Sequence, residues 1–331
     1  METDIKVSVI VPCYNCEQWI EQTLKSLKEQ TFQKFEIICI NDGSTDATLK
    51  KLKVWQEKSG LNLKIINQPN GGVSRARNAG IRNVVGEFVL FLDADDCLGD
   101  SFIECLYSAL KENGTDTAYC FYSRVYTEVM GRKLSNKLNY VVQNQCEVMS
   151  NLLYRMAALG FYCYLYRRDI LIRENIFFDV DTKHFEDREF NWKYLCHCRS
   201  AVMVDAPLYW YRVNSESVTQ RVSGEWRMDA VNAVLRIEDY LKQYNCSFYD
   251  EVKAFLLSRV LWASAKRLAL AHNKEFFKRL ALEFDMKTRM RQVSHKDPNK
   301  VVRLAARLYL IHPMLFYYVV GLKNKRRGGK R

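Results

Sequence analysis

The stretch Phe91-Leu92-Asp93-Ala94-Asp95-Asp96, FLDADD, places three carboxylates at the end of an apolar run that begins at Phe88. Residues 88–92 read as a buried strand, and in an open α/β sheet the carboxyl ends of the strands are where ligands bind. Carboxylates crowded at such an end repel one another unless a cation sits among them, and an all-oxygen ligand set suits Mg²⁺ or Mn²⁺. The competing reading is a polar turn with an aspartate capping the next helix. The residues on either side decide between them.

Upstream, apolar β-branched runs alternate with helical periodicity. Strands are predicted over 6–11, 35–40 and 63–67, and helices over 17–30, from Ser44 or Thr45 to Lys58, and over 73–84. That alternation specifies βαβ units and a mainly parallel sheet flanked by helices. Downstream, helices are expected over 101–112, 146–157, 168–174 and from HFED at 184–187 to about Arg199. Strands are expected over 117–126, 161–166, 201–204 and 208–213, and residues 127–145 read as hairpin or loop. From Gly224 onward the pattern is helical throughout, with no returning strand alternation.

With 331 residues and 48% hydrophobic content the chain can bury a proper core. Met1–Lys6 is short and charged, so no amino-terminal signal is expected and the catalytic end should face the cytosol. Eleven cysteines in that compartment argue for reduced thiols; the pairs Cys13/Cys16 and Cys196/Cys198 fit no zinc-ribbon spacing. The net charge of +12 is uneven: residues 1–250 hold 30 Lys+Arg and 33 Asp+Glu, whereas residues 251–331 hold 20 and 5. A basic tail of that kind suits an anionic membrane or nucleic acid.

Polar residues cluster in loops that a parallel sheet brings together. Tyr14 in PCYN offers a flat face for a base, and Asp42 in NDGSTD can accept from a ring N–H. Gly71-Gly72 allows close backbone approach, and Arg75 and Arg77 open a helix where a diphosphate would be welcome. Asp93 and Asp95 would hold a metal bridging that diphosphate. No GxxxxGK[ST] loop is present and no GxGxxG follows the first strand, which excludes a P-loop and weakens a dehydrogenase.

SVIVPCYN, IICINDGSTD, NGGVSRARNAG, FVLFLDADD and HFEDREF, in this order and spacing, resemble the inverting family 2 glycosyltransferases of GT-A fold, bacterial cell-surface polysaccharide type. The resemblance implies a catalytic domain over 1–220, with a nucleotide-binding half (1–100) and an acceptor half (101–220), followed by a basic helical region over 221–331. It implies that Pro12, Tyr14 and Asp42 hold the uracil of a UDP-sugar, with Arg77 near the uracil or phosphates. Asp93 would contact the ribose or metal and Asp95 would ligate the divalent ion, Mn²⁺ or Mg²⁺; Asn15, Gly71 and Ala94 complete the donor-binding set. Asp187 would be the general base, with Glu186 beside it, and His184 stands near as a metal or acceptor contact or a surface histidine. Asn41 stands where the family usually has an aspartate.

The expected reaction is inverting transfer of a hexosyl group to a hydroxyl of a glycan or lipid-linked acceptor. A sugar-nucleotide nucleotidyltransferase and a non-enzymatic basic-tail protein binding nucleic acid or membrane are the alternatives; the tail carries no nucleic-acid motif. Residues 308–322 are apolar but for His312, too short to span a bilayer and interrupted by Pro313. Flanked by basic groups and rich in aromatics (Tyr309, Phe316, Tyr317, Tyr318), they are expected to attach the enzyme peripherally to the inner face of the cell membrane. Alternatively, that face packs on the catalytic domain or on a second subunit of a homo-oligomer.

Overall fold

Six of the seven residues of Val7–Cys13 are buried, as a central strand covered on both faces requires. This strand, β1, pairs in parallel with β2 (Phe35–Asp42) on one side and β4 (Phe88–Phe91) on the other, and β2 pairs in parallel with β3 (Leu63–Gln68). The crossovers are α1 (Ile20–Lys28), α2 (Thr48–Lys58) and α3 (Val73–Ile81). Ile20, Leu24 and Leu27 on α1 are fully buried, as their spacing predicts. Because β4 returns to the far side of β1, the strand order reverses there, and FLDADD leaves the sheet at that switch point.

The computed structural model describes residues 4–125, 138–154, 160–213 and 225–325, with the backbone alone at 225–227 and 323–325. Two units emerge: Met1–Asp181 with Glu186–Ser215, and Thr182–Phe185 with Glu216–Arg331.

In the first unit parallel pairing holds through β4, and beyond it the sheet is mixed. A two-residue strand, β5 (Cys97–Leu98), and α4 (Phe102–Asn113) precede β6 (Thr117–Val125) and β7 (Tyr140–Asn144). Then follow α5 (Gln145–Tyr154), β8 (Tyr164–Arg167), α6 (Arg168–Arg173), α7 (Glu186–Leu195) and β9 (Ser200–Arg212). The order is β3-β2-β1-β4-β8-β6-β9-β5, with β7 on β9; β8 is antiparallel to both β4 and β6.

Several elements differ from the sequence expectation. Residues 201–204 and 208–213, read as two strands, form one, whose register against β6 shifts near Pro207. Proline lacks the N–H a regular ladder needs and is tolerated where the ladder is irregular. The hairpin-or-loop stretch contains β7, three of whose residues are exposed in a row, which hid its alternation; 126–137 lie outside the described residues. Residues 161–163 are a 3-10 turn rather than strand. Helix α7 stops at Leu195, where His197 and Cys198 donate to the Tyr194 and Leu195 carbonyls in tight turns that lead into β9.

The second unit is helical: α8 (Glu225–Gln243), α9 (Tyr249–Leu270), α10 (Lys274–Glu283), α11 (Met286–Lys296), α12 (Lys300–Ile311) and α13 (Pro313–Lys325). Asn273, Asp285 and Asn299 cap α10, α11 and α12 through their side chains. The apolar stretch 308–322 is split at His312-Pro313. Three of the aromatics expected to face outward, Tyr309, Phe316 and Tyr317, are buried around Phe277, and only Tyr318 is exposed. Among the described residues no helix is long and apolar enough to cross a membrane.

Close approach of α3 to β1 depends on Gly80, where an added Cβ would lie 2.4 Å from Ile10 Cγ2. Gly80→Ala is therefore expected to lower stability by about 1–3 kcal/mol through overpacking. Urea unfolding measures this, and in an Ile10→Ala background, itself destabilised by the truncated core side chain, the cost of Gly80→Ala should be smaller.

Candidate functional site

The loop after β1 is stitched to the loop after β2. Asn15, in the left-handed region at φ 46, accepts from Thr45 N at 2.9 Å and donates its own N–H to Ser44 Oγ at 3.1 Å. Asparagine tolerates that conformation better than most residues. Tyr14 projects beside it, 53% exposed, above a half-buried Pro12.

Asp42 is buried at the end of β2. Its Oδ1 accepts from Gly71 N at 2.9 Å and Gln68 Nε2 at 2.7 Å, and its Oδ2 accepts from Gly72 N at 2.8 Å. The carboxylate expected to meet a base is thus the staple of the loop that leads into α3. Gly72, at φ 87, turns that loop in a conformation that side chains resist.

The three carboxylates of FLDADD go separate ways. Asp96 points inward, accepting from the Tyr209 hydroxyl at 2.6 Å and Arg212 N at 2.7 Å, and so holds β9 rather than a ligand. Ala94 is buried with its methyl group in the core, which leaves only its backbone for a donor contact. Asp95 is half-buried, and burial, followed by the Asp93 charge, pushes its carboxyl up to about 6. Asp93 Oδ1 accepts from Arg77 Nη2 at 2.9 Å.

Arg77 ties the strand end to α7, since its Nη1 donates to Glu186 Oε1 at 3.1 Å. The guanidinium lies over Phe161, 4.3 Å from the ring centroid, and over Phe178 at 5.2 Å. Its side chain is 5% exposed, so where the resemblance implies a contact with uracil or phosphates, it instead bridges two carboxylates inside an aromatic sleeve. Nothing in the sequence singled out Phe161 or Phe178; Asn78 fixes the latter, exchanging hydrogen bonds with its backbone N–H and C=O at 2.8 Å each.

At the start of α7, Phe185 has φ 81, a region a bulky residue enters at a cost of about 1–3 kcal/mol. Glu186 and Asp187 follow it directly. Burial, then the neighbouring Asp187 charge, pushes Glu186 up to about 7 against the opposing pull of Arg77. Asp187 accepts from Arg188 N at 2.7 Å and pairs with no Lys or Arg among the described residues. Glu186 is thus paired with Arg77, while Asp187 has no such partner among the described residues. His184 belongs to the chain segment counted with the second unit.

Asp93 and Asp95 fit a divalent cation. Asp93 shares Arg77 with Glu186, Asp95 has no ion-pair partner among the described residues, and carboxylate oxygens suit a hard ion. No cluster of three or more His, Cys, Asp or Glu able to hold a metal occurs among the described residues. The remaining coordination would come from donor oxygens and water, as is usual for Mg²⁺. All eleven cysteines are free thiols, and Cys13, Cys16, Cys196 and Cys198 are buried.

A model of the family described as Glycosyl transferase family 2 matches residues 8–195. EpsJ of Bacillus subtilis (strain 168), an uncharacterized glycosyltransferase, is 32% identical over 65% of this chain and 63% of its own length. The chain thus spans less than two thirds of that relative. The solved structure of Staphylococcus aureus TarS residues 1–349 with UDP-GlcNAc has a TM-score of 0.64 at 22% identity, over 98% of this chain and 92% of that one. The mannosyltransferase PcManGT of Pyrobaculum calidifontis, solved with GDP-Man and Mn²⁺, gives 0.54 at 19% identity, over 96% and 86%. At such identities the likeness concerns the fold.

Arg77→Leu leaves Asp93 and Glu186 without their shared counter-charge and is expected to destabilise the chain by about 3–5 kcal/mol. Chemical denaturation reads this directly. Adding Glu186→Gln should recover part of it, since one stranded charge is removed.

Proposed function

The chain belongs to glycosyl transferase family 2, and we propose that it moves a hexosyl group from a UDP-sugar to a hydroxyl of a glycan or lipid-linked acceptor, with inversion, in cell-surface polysaccharide synthesis. The observation that carries this reading is the Arg77 bridge, which joins Asp93 at the strand end to Glu186, the neighbour of Asp187. Tyr14 presents a face on which uracil can stack, and the loop stapled by Asp42 offers backbone and the start of α3 to the diphosphate. Asp93 and Asp95 would hold a divalent ion, which when bound supplies positive charge to offset that developing on the leaving diphosphate.

Asp187 is the base in this reading. An acceptor hydroxyl is a poor nucleophile at neutral pH, and a carboxylate positioned to take its proton is worth about 10²–10⁴ in rate. Direct displacement needs no covalent nucleophile on the enzyme. Glu186, paired with Arg77, keeps the base's neighbour neutralised and the helix start in place.

Asp187→Asn should lower kcat by about 10²–10⁴ with UDP affinity nearly unchanged, and Asp95→Ala should abolish Mn²⁺-dependent turnover. A screen of UDP-sugars for metal-dependent release of UDP is the assay. Pyrophosphate release in place of UDP would favour the nucleotidyltransferase; full activity of Asp95→Ala would remove the metal from the scheme.

The second unit supports attachment to an anionic membrane surface. With Tyr309, Phe316 and Tyr317 turned inward, the exposed apolar groups are Val301, Leu304 and Ile311 on α12 and Leu315, Tyr318 and Leu322 on α13, in each helix confined to one face by their spacing. From Met286 onward the sequence has thirteen Lys+Arg and one acid, Asp297, which is buried and 2.8 Å from Arg259. Such a face suits an anionic leaflet, with each nearby basic group worth about 1 kcal/mol. The intact chain should float with anionic but not neutral vesicles and release in high salt, and Leu304→Glu with Ile311→Glu should weaken flotation. Self-association of the intact chain relieved by the same changes would assign the face to a second copy.

A further inference from the structure

The main chain of FLDADD is held from outside at three successive carbonyls. The Thr23 hydroxyl on α1 lies 2.9 Å from the Ala94 oxygen and 2.8 Å from the Asp96 oxygen. Arg212 Nε, at the end of β9, donates to the Asp95 oxygen at 2.8 Å. That arginine also donates its backbone N–H to Asp96 Oδ1 and its Nη2 to Gln22 Oε1 at 2.6 Å, and lays its guanidinium over Trp19, 4.6 Å from the ring centroid. It is 7% exposed. The Asp95 carboxylate, by contrast, takes a hydrogen bond from no other side chain among the described residues. Among the described residues its direction thus depends on its backbone, with the Asp93 and Arg212 charges acting on it.

We propose that Arg212 is the positioning residue of the cation site: by clamping the Asp95 carbonyl against α1 it aims a carboxylate that no other described side chain holds by a hydrogen bond. The inference rests on the reading of Asp93 and Asp95 as that site. Outer contacts of this kind typically change metal affinity by about 10–100-fold when removed. A planar fork suits the task, because one guanidinium reaches the carbonyl and Gln22 while stacking on Trp19; an ammonium can make only part of that set. The Arg212 backbone N–H that pins Asp96 does not depend on the side chain and survives a change to Met or Lys, as does the β9 pairing to β5 and β6. Arg212→Met thus removes the clamp and leaves the surrounding ladder.

The test is Mn²⁺ titration of the full chain in the presence of UDP, followed by electron paramagnetic resonance. Arg212→Met should weaken Mn²⁺ by about 10–100-fold, Arg212→Lys should restore part of it, and UDP binding without metal should stay as in the wild type. A strut with a merely structural role would lower the melting temperature and leave Mn²⁺ affinity alone, and that result overturns the proposal. Should Arg212→Met fail to fold, Gln22→Leu cuts only the outer anchor and should shift Mn²⁺ affinity in the same direction; an unchanged affinity there likewise overturns it. Absence of Mn²⁺ binding by the wild type, with or without UDP, would overturn the cation-site reading itself and this inference with it.

Discussion

A guanidinium removed from water must be given counter-charges and hydrogen-bond acceptors, and the site is built around meeting that requirement for Arg77. Asp93 and Glu186, 93 positions apart in sequence, are drawn to one cation. The rings of Phe161 and Phe178 close over it, and Phe178 in turn stacks on Phe190 of α7 at 4.1 Å between centroids. Breaking a buried pair of this kind costs far more than forming it gains, because the stranded charge stays in low dielectric. The arrangement therefore ties the strand end that would carry the donor to the helix start that would carry the base.

The acidic side chains divide the labour. Asp42 staples the glycine loop, Asp96 pins β9, and Asp116 accepts from Arg199 N at 2.8 Å and pairs with Arg167 at 3.3 Å to join the starts of β6 and β9. Each of these three accepts from several donors, as buried carboxylates must, and so holds part of the architecture. Asp95 and Asp187 are held by their backbones and kept short of partners. A carboxylate without full compensation is a poor contribution to stability and a good one to chemistry.

Much of this was legible in the sequence. The β-branched runs and intervening amphipathic helices specified the first half down to the switch point, because a strand buried on both faces has little freedom to look like anything else. The loops bearing Tyr14, Asp42, Asp93 and Asp95 were legible for the same reason: parallel pairing brings strand ends together whatever the loops contain. What stayed hidden depends on long-range contact. Asp96 looks like its neighbours in FLDADD until Tyr209 and Arg212 are folded against it, and no local pattern marks Phe161 or Phe178 as walls around Arg77. Similarly, the apolar stretch 308–322 shows its composition but not which of its faces turns inward, and Phe277 decides that.

The eleven thiols make the molecule its own reporter of motion. Cys146 alone is exposed and Cys105 half-exposed; the other nine are buried. Cys13 ends β1, Cys16 lies in the loop after it and Cys97 follows Asp96, so these three buried thiols border the donor loops and become reactive when those loops open. Local opening exposes such groups at a lower free energy than global unfolding does. Alkylation kinetics, resolved cysteine by cysteine, would then separate loop breathing from loss of the core without a label being added, and a bound nucleotide would show itself as a slowing confined to those three sulfurs.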